Sequence, residues 1–252
     1  MVLFQPPSGP SSPFDVGEYQ WASTLLWITS IIGIIWGFLL IVSYINTRKR
    51  HHLVWGASFS IIWIGFHQVI SMANFEVMIT DGFMAAMFAF IPGLLAAGLL
   101  MAVFSDKKII GNLYALFALI MAIAIGFAKF DPFQLLDAAP FVPSIIVVSL
   151  HIPSALIIVI LPLLTTLKKE TRWPALFMTI GGILFGLVGG LLSLVLTGVV
   201  GFDPVTGIDW RYAVMGSFSI ILLFAALAFM LGTIIPAKWN FEIPGIEFEE
   251  RA

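Results

Sequence analysis

Long apolar runs recur along this chain, and they constrain its fold more than any other feature. Short polar segments separate seven of them, at positions 21–46, 53–73, 82–104, 109–128, 143–167, 174–200 and 211–236. A bilayer core of ~30 Å is crossed by about 20 helical residues, so each run is long enough to span a membrane. Hydrocarbon offers backbone groups no partners, which excludes irregular spanning segments. The pattern predicts an all-α integral membrane protein with a bundle of seven transmembrane helices.

Composition agrees with this class. Hydrophobic residues make up 60% of the chain and charged residues 10%, whereas a soluble domain is about half apolar and about a quarter charged. We divide the chain into an N-terminal loop (1–20), a seven-helix transmembrane domain (21–236) and an acidic tail (237–252). The first twenty residues contain neither Lys nor Arg, which is not the pattern of a signal peptide.

The distribution of basic residues predicts the orientation. The loops after the first, third and fifth runs contain three, two and three Lys or Arg, whereas the loops after the second, fourth and sixth contain none, one and one. Basic loops favour the cytoplasmic side, so we expect an extracellular N-terminus, a cytoplasmic C-terminus and a multi-pass protein of the cell membrane. The run Arg48–His52 is expected to meet anionic lipid headgroups. A net charge of -2 gives no electrostatic case for nucleic acid as a partner.

Two histidines lie inside apolar runs, His67 in the second and His151 in the fifth. Each is about eight residues from the predicted outer end of its run, or roughly 12 Å deep. Two imidazoles at one depth are what a bis-histidine b-type haem requires. Contact with another ligand, or plain helix packing through hydrogen bonds, remains open. The neighbours that we assign to this candidate ligand or cofactor site are Trp63, Gln68, Ser71, Ser149 and Pro153.

Missing residue types argue against several chemistries. No Asp or Glu lies well inside a run, so we predict no metal site. Proton-coupled transport is also disfavoured, because it usually uses acidic or basic side chains within the spans. The seventh run contains no Lys for a Schiff base, which argues against retinal as a cofactor. Cysteine is absent, which removes disulfides and thiolate nucleophiles.

The sixth run contains Gly182, Gly186 and Gly190 at four-residue spacing. A helix places these three glycines on one face, where another backbone can approach closely. We predict a close-packing face for a neighbouring helix or for a partner subunit.

Three functions remain open from the sequence. The first is a non-enzymatic membrane protein, either a subunit of a larger membrane complex or homo-oligomer, or a small-ligand sensor with its site in the outer half of the bundle. The second is an electron carrier with b-type haem between His67 and His151. The third is a transporter for a small solute.

Overall fold

A computed structural model describes residues 20–71, 82–130, 142–169, 172–196, 201–203 and 208–234. These contain seven long α-helices: α1 (Gln20–Thr47), α2 (Arg50–Ser71), α3 (Gly82–Val103), α4 (Lys108–Phe130), α5 (Val142–Leu167), α6 (Leu176–Leu196) and α7 (Trp210–Ile234). A short 3-10 turn (Trp173–Ala175) precedes α6. The predicted tail 237–252 and all of the predicted N-terminal loop except Gln20 lie outside the described residues.

Among the residues that the structure describes, six helices are long and apolar enough to cross a membrane: α1, α3, α4, α5, α6 and α7. The remaining helix, α2, begins with Arg50, His51 and His52 and is the least apolar of the seven. The all-helical, multi-pass membrane architecture is confirmed. The count of seven spans and the orientation of the termini stay predictions.

The helices form a closed circuit with one helix outside it. Going around the circuit, α1 packs on α2, α2 on α3, α3 on α5, α5 on α6, α6 on α7, and α7 on α1. Helix α4 packs against α3 and α5 from outside. Helix α3 contacts α2, α4 and α5, and 78% of its apolar stretch is buried, against 22–50% for the other five spans.

Small residues allow α3 to approach its neighbours closely. A side chain on Gly98 would collide with the indole of Trp55 in α2, and one on Gly93 would lie 2.6 Å from Ala118 of α4. Trp55 is 1% exposed, and its Nε1–H donates to the Leu95 carbonyl at 3.2 Å. Dispersion contacts, which are short-ranged, therefore hold α2 and α4 against α3.

The outward faces of the helices are apolar. Large exposed side chains include Phe38 at 63%, Ile109 at 65% and Leu167 at 70%. A soluble monomer rarely exposes apolar patches larger than a few hundred Å², whereas lipid solvates such side chains without cost. The surface therefore agrees with a bilayer environment.

Hydrogen bonds between polar side chains join helices inside the bundle. Trp36 Nε1–H donates to Thr233 Oγ1 at 2.8 Å and joins α1 to α7. Tyr114 Oη lies 2.9 Å from the buried Ser154 Oγ and joins α4 to α5. In a medium without water each such bond adds roughly 1 kcal/mol to helix association.

The predicted turn between the sixth and seventh runs contains a minimal antiparallel pair, β1 (Phe202–Asp203) with β2 (Ile208–Asp209). On the opposite end of the bundle, the loops after α1, α3 and α5 are only two to five residues long by the helix bounds. We call this end, defined by residues 48–50, 104–108 and 168–172, the basic end.

Candidate functional site

The predicted outer-half site falls partly outside the described residues. His67, Trp63, Gln68 and Ser71 belong to the backbone of α2, but their side chains are not among those described. The other three members lie on α5, where Ser149 is exposed and where His151 and Pro153 are half-buried. The helix continues through Pro153. The assignment of these seven residues to one site stays a prediction.

His151 has a defined tautomer. Its Nδ1 lies 3.0 Å from the Val147 carbonyl, one turn earlier in α5. Because a carbonyl oxygen only accepts, Nδ1 carries a proton, and in the neutral imidazole Nε2 keeps its lone pair. Such an imidazole can accept a hydrogen bond or coordinate a group through Nε2.

The position of His67 along the bundle follows from the packing of α2 against α3. Ser58 Oγ donates to the Ile91 carbonyl at 3.2 Å, and a Cβ on Gly65 would lie 2.7 Å from the Phe88 ring. Moving along α2 away from the basic end thus means moving toward the start of α3. Continued for two more residues, this antiparallel register places the backbone of His67 opposite the first turn of α3.

The position of His151 follows from α3 in the same way. A Cβ on Gly93 would lie 3.4 Å from the Leu150 side chain, so His151 lies about level with the middle of α3. The common depth of the two imidazoles stays a prediction, because the side chain of His67 lies outside the described residues.

The same register brings His67 to the level of a polar residue in α1. Gly37 of α1 packs against Ser60 of α2, where an added Cβ would lie 2.8 Å from the hydroxyl oxygen. Seven residues are about two helical turns. At that distance from the Gly37–Ser60 contact, on the side away from the basic end, α1 has Ser30 and α2 has His67. The Ser30 hydroxyl is fully buried and has no hydrogen-bond partner among the described residues.

The three glycines of the predicted close-packing face differ in their surroundings. Gly182 is buried, and a Cβ there would lie 2.6 Å from Ile158 of α5. Gly186 and Gly190 are exposed, and a Cβ at either would meet nothing within 4 Å. Gly182 therefore contacts another helix of the same chain, whereas the backbone at Gly186 and Gly190 is uncovered.

A histidine cluster that sequence analysis did not identify as a unit lies at the basic end. Ser43 Oγ of α1 lies 2.9 Å from His52 Nδ1 of α2, and Thr47 Oγ1 lies 3.3 Å from the same nitrogen. The His51 ring packs edge-on against His52 at 4.4 Å and against Trp55 at 5.0 Å between centroids. The run Arg48–His52 was visible in the sequence, but its partners on α1 are set by the hairpin.

Burial keeps these two imidazoles neutral. Loss of hydration lowers the pKa of His51 from 6.5 to about 3, with further contributions from the charges of His52 and Lys49. The pKa of His52 is also lowered, mainly by burial and then by the charge of Lys49, against an opposing hydrogen bond to the Ser43 backbone, which raises it. The described residues contain no group of three or more His, Asp or Glu that could hold a metal ion.

The neutral state of His51 predicts acid sensitivity. The unfolded chain takes up a proton near pH 6.5 and the folded chain only near pH 3, so the unfolded state binds more protons between these values and stability falls as pH falls. We expect the free energy of unfolding to drop by at most about 2 kcal/mol between pH 7 and pH 5 through this group. His51→Phe keeps a ring beside Trp55 and should reduce the pH dependence of the unfolding free energy, as measured by SDS-unfolding titrations. Arg50→Gln is the control, and an unchanged pH slope in His51→Phe would contradict the assignment.

Together these features define a helical, multi-pass integral membrane protein. No family model, no curated protein and no solved structure matches the chain.

Proposed function

We propose that the protein is a non-enzymatic, seven-helix subunit of a larger assembly in the cell membrane, with its C-terminus in the cytoplasm. The proposal further holds that a transmembrane helix of another subunit packs on the exposed glycines of α6. The observation that carries the proposal is the uncovered backbone at Gly186 and Gly190. Small residues at membrane helix interfaces allow backbones to approach, and lipid tails fill such a groove less well than a helix does.

The contrast with the rest of α6 supports this assignment. The buried glycines Gly181 and Gly182 receive Phe229 of α7 and Ile158 of α5, so these two glycines already contact neighbouring helices within the chain. Around Gly186 the exposed side chains are Ile183 and Leu187, which can flank an incoming helix. A b-type haem held jointly by His67 and His151 stays an alternative from the sequence, and the glycine face of α6 does not bear on it.

The glycine face predicts a variant that dissociates without unfolding. We expect Gly186→Leu with Gly190→Leu to weaken association in mild detergent at least about tenfold, which corresponds to about 1.4 kcal/mol. The fold should be preserved because neither position has a neighbour within 4 Å. Light scattering after size-exclusion chromatography, together with the partners that co-purify, measures the assembly.

The matched control is Ala155→Leu, which enlarges a small exposed residue of α5. The chain lacks cysteine, so Gly190→Cys provides a single site for cross-linking in membranes. A cross-linked product at twice 27.6 kDa identifies a second copy as the partner, and a product of another mass identifies a different subunit. A wild-type protein that is monomeric and free of partners would refute the proposal.

A further inference from the structure

Positive charge is concentrated at the basic end. Eight of the twelve Lys and Arg residues of the chain belong to it: Arg48, Lys49, Arg50, Lys107, Lys108, Lys168, Lys169 and Arg172. The same three loops contain two acidic residues, Asp106 and Glu170, so their net charge is about 8 - 2 = +6. The field at this end therefore favours anions.

The loops hold these cations close to the ends of apolar helices. Only Arg48 and Lys49 separate α1 from α2, and both side chains are exposed, as are those of Lys169 and Arg172. Loops of this length keep the charges at the depth where headgroups lie. Trp173 is 65% exposed at the same end, which is the position that amphipathic rings take at a membrane interface.

Two of the cations occupy a backbone conformation that glycine adopts more easily. Arg48 follows α1 with φ 56°, and Lys169 follows α5 with φ 60°. Among the non-glycine residues that the structure describes, Arg48 and Lys169 are the two with positive φ. The Arg48 N–H donates to the Tyr44 carbonyl at 2.7 Å, which is how a left-handed residue closes a helix. Glycine is the usual residue at such a position, so both helices end on a cation where glycine would fit the backbone better.

We propose that the basic end binds the headgroups of anionic phospholipids, with Arg48 and Lys169 as principal contacts. Anionic lipids attract basic residues next to membrane helices, and the attraction decays within a Debye length. The short loops favour lipid over a soluble acidic partner, because they do not carry the charges beyond the headgroup layer. This inference is independent of the glycine face of α6.

The backbone conformation of the two residues allows charge to be removed without strain. Arg48→Gly with Lys169→Gly places glycine in left-handed geometry, so the variant should unfold at the wild-type temperature or higher in neutral lipid. We expect its apparent affinity for phosphatidylglycerol, measured in phosphatidylcholine-containing micelles by the thermal shift, to be at least about fivefold weaker than that of wild type. The wild-type affinity should also fall at high salt.

Two controls test whether the bound anion is a lipid or free phosphate, and whether the basic end is where it binds. Inorganic phosphate at the same concentration should leave the wild-type unfolding temperature unchanged. Lys129→Gln with Arg211→Gln removes two cations from the other end and should bind phosphatidylglycerol as wild type does. The proposal is overturned if the glycine variant binds like wild type, if phosphatidylcholine alone gives the same shift, if phosphate reproduces the effect, or if the control variant loses as much affinity.

Discussion

Gly98→Ala is expected to lower the free energy of unfolding by about 3 kcal/mol, because one methyl group overpacks the core and disrupts a buried hydrogen bond. The added Cβ would collide with Nε1 and Cδ1 of Trp55 and lie 2.9 Å from Cε2. The indole is buried, at 1% exposure. Its bond to the Leu95 carbonyl is lost if it moves. Reversible unfolding in SDS mixed micelles, followed by tryptophan fluorescence, measures the change.

A matched glycine tests whether the cost comes from the contact. Gly186→Ala adds the same methyl group to a membrane helix where nothing lies within 4 Å, so its unfolding free energy should stay within about 1 kcal/mol of wild type. Trp55→Leu should relieve the clash, and in the double variant we expect non-additivity of at least about 1 kcal/mol. Equal losses for Gly98→Ala and Gly186→Ala would show that helix propensity, and not packing, governs the effect.

Gly111→Val should be more damaging still, with a loss of about 4 kcal/mol or failure to fold. Gly111 lies on α4 against α3, and its Cβ would collide with Met101 Cγ and lie 2.9 Å from the Met101 nitrogen and 3.1 Å from the Ala97 oxygen. Two of these three atoms belong to backbone, which cannot change rotamer. The helices would have to separate near the basic end. Yield of monodisperse protein and the SDS-unfolding midpoint report the outcome.

The control for this variant lies on the same helix pair. A Cβ on Gly126 of α4 would lie 3.4 Å from Ala86 Cβ and 3.5 Å from the Gly82 oxygen, which is ordinary van der Waals contact. Gly126→Ala should therefore change the unfolding free energy by less than about 1 kcal/mol. If Gly111→Val unfolds at the wild-type midpoint, the close approach of α3 and α4 is wrong.

The helices were predictable because their cause is local. The six spans of the structure begin and end within a few residues of the predicted apolar runs, except that described α6 ends at Leu196, before the end of the predicted run at position 200. Length and hydropathy determine whether a segment can cross hydrocarbon, and both are properties of the segment alone. The predicted glycine face was local as well, but the sequence could not distinguish Gly182, which contacts Ile158, from Gly186, which has no neighbour.

The candidate site was less predictable because it depends on register. Counting from span ends predicts one depth for His67 and His151, but helices can start at different levels, so the depth of a side chain depends on how each helix packs against its neighbours. The Ser43–His52 contact shows the same limitation. It joins residues nine apart through a two-residue loop, and no periodicity in either helix reveals it.

By itself, the sequence determined the class of this protein: an all-helical bundle in a bilayer, with basic loops alternating along the chain. Apolar transfer and backbone hydrogen bonding act on each segment separately, which is why composition sufficed. Only the tertiary structure determined that α4 lies outside the circuit, that α3 is its most buried span, and which glycines are covered. These features arise from the fit of one helix surface against another, and that fit depends on side chains far apart in the chain.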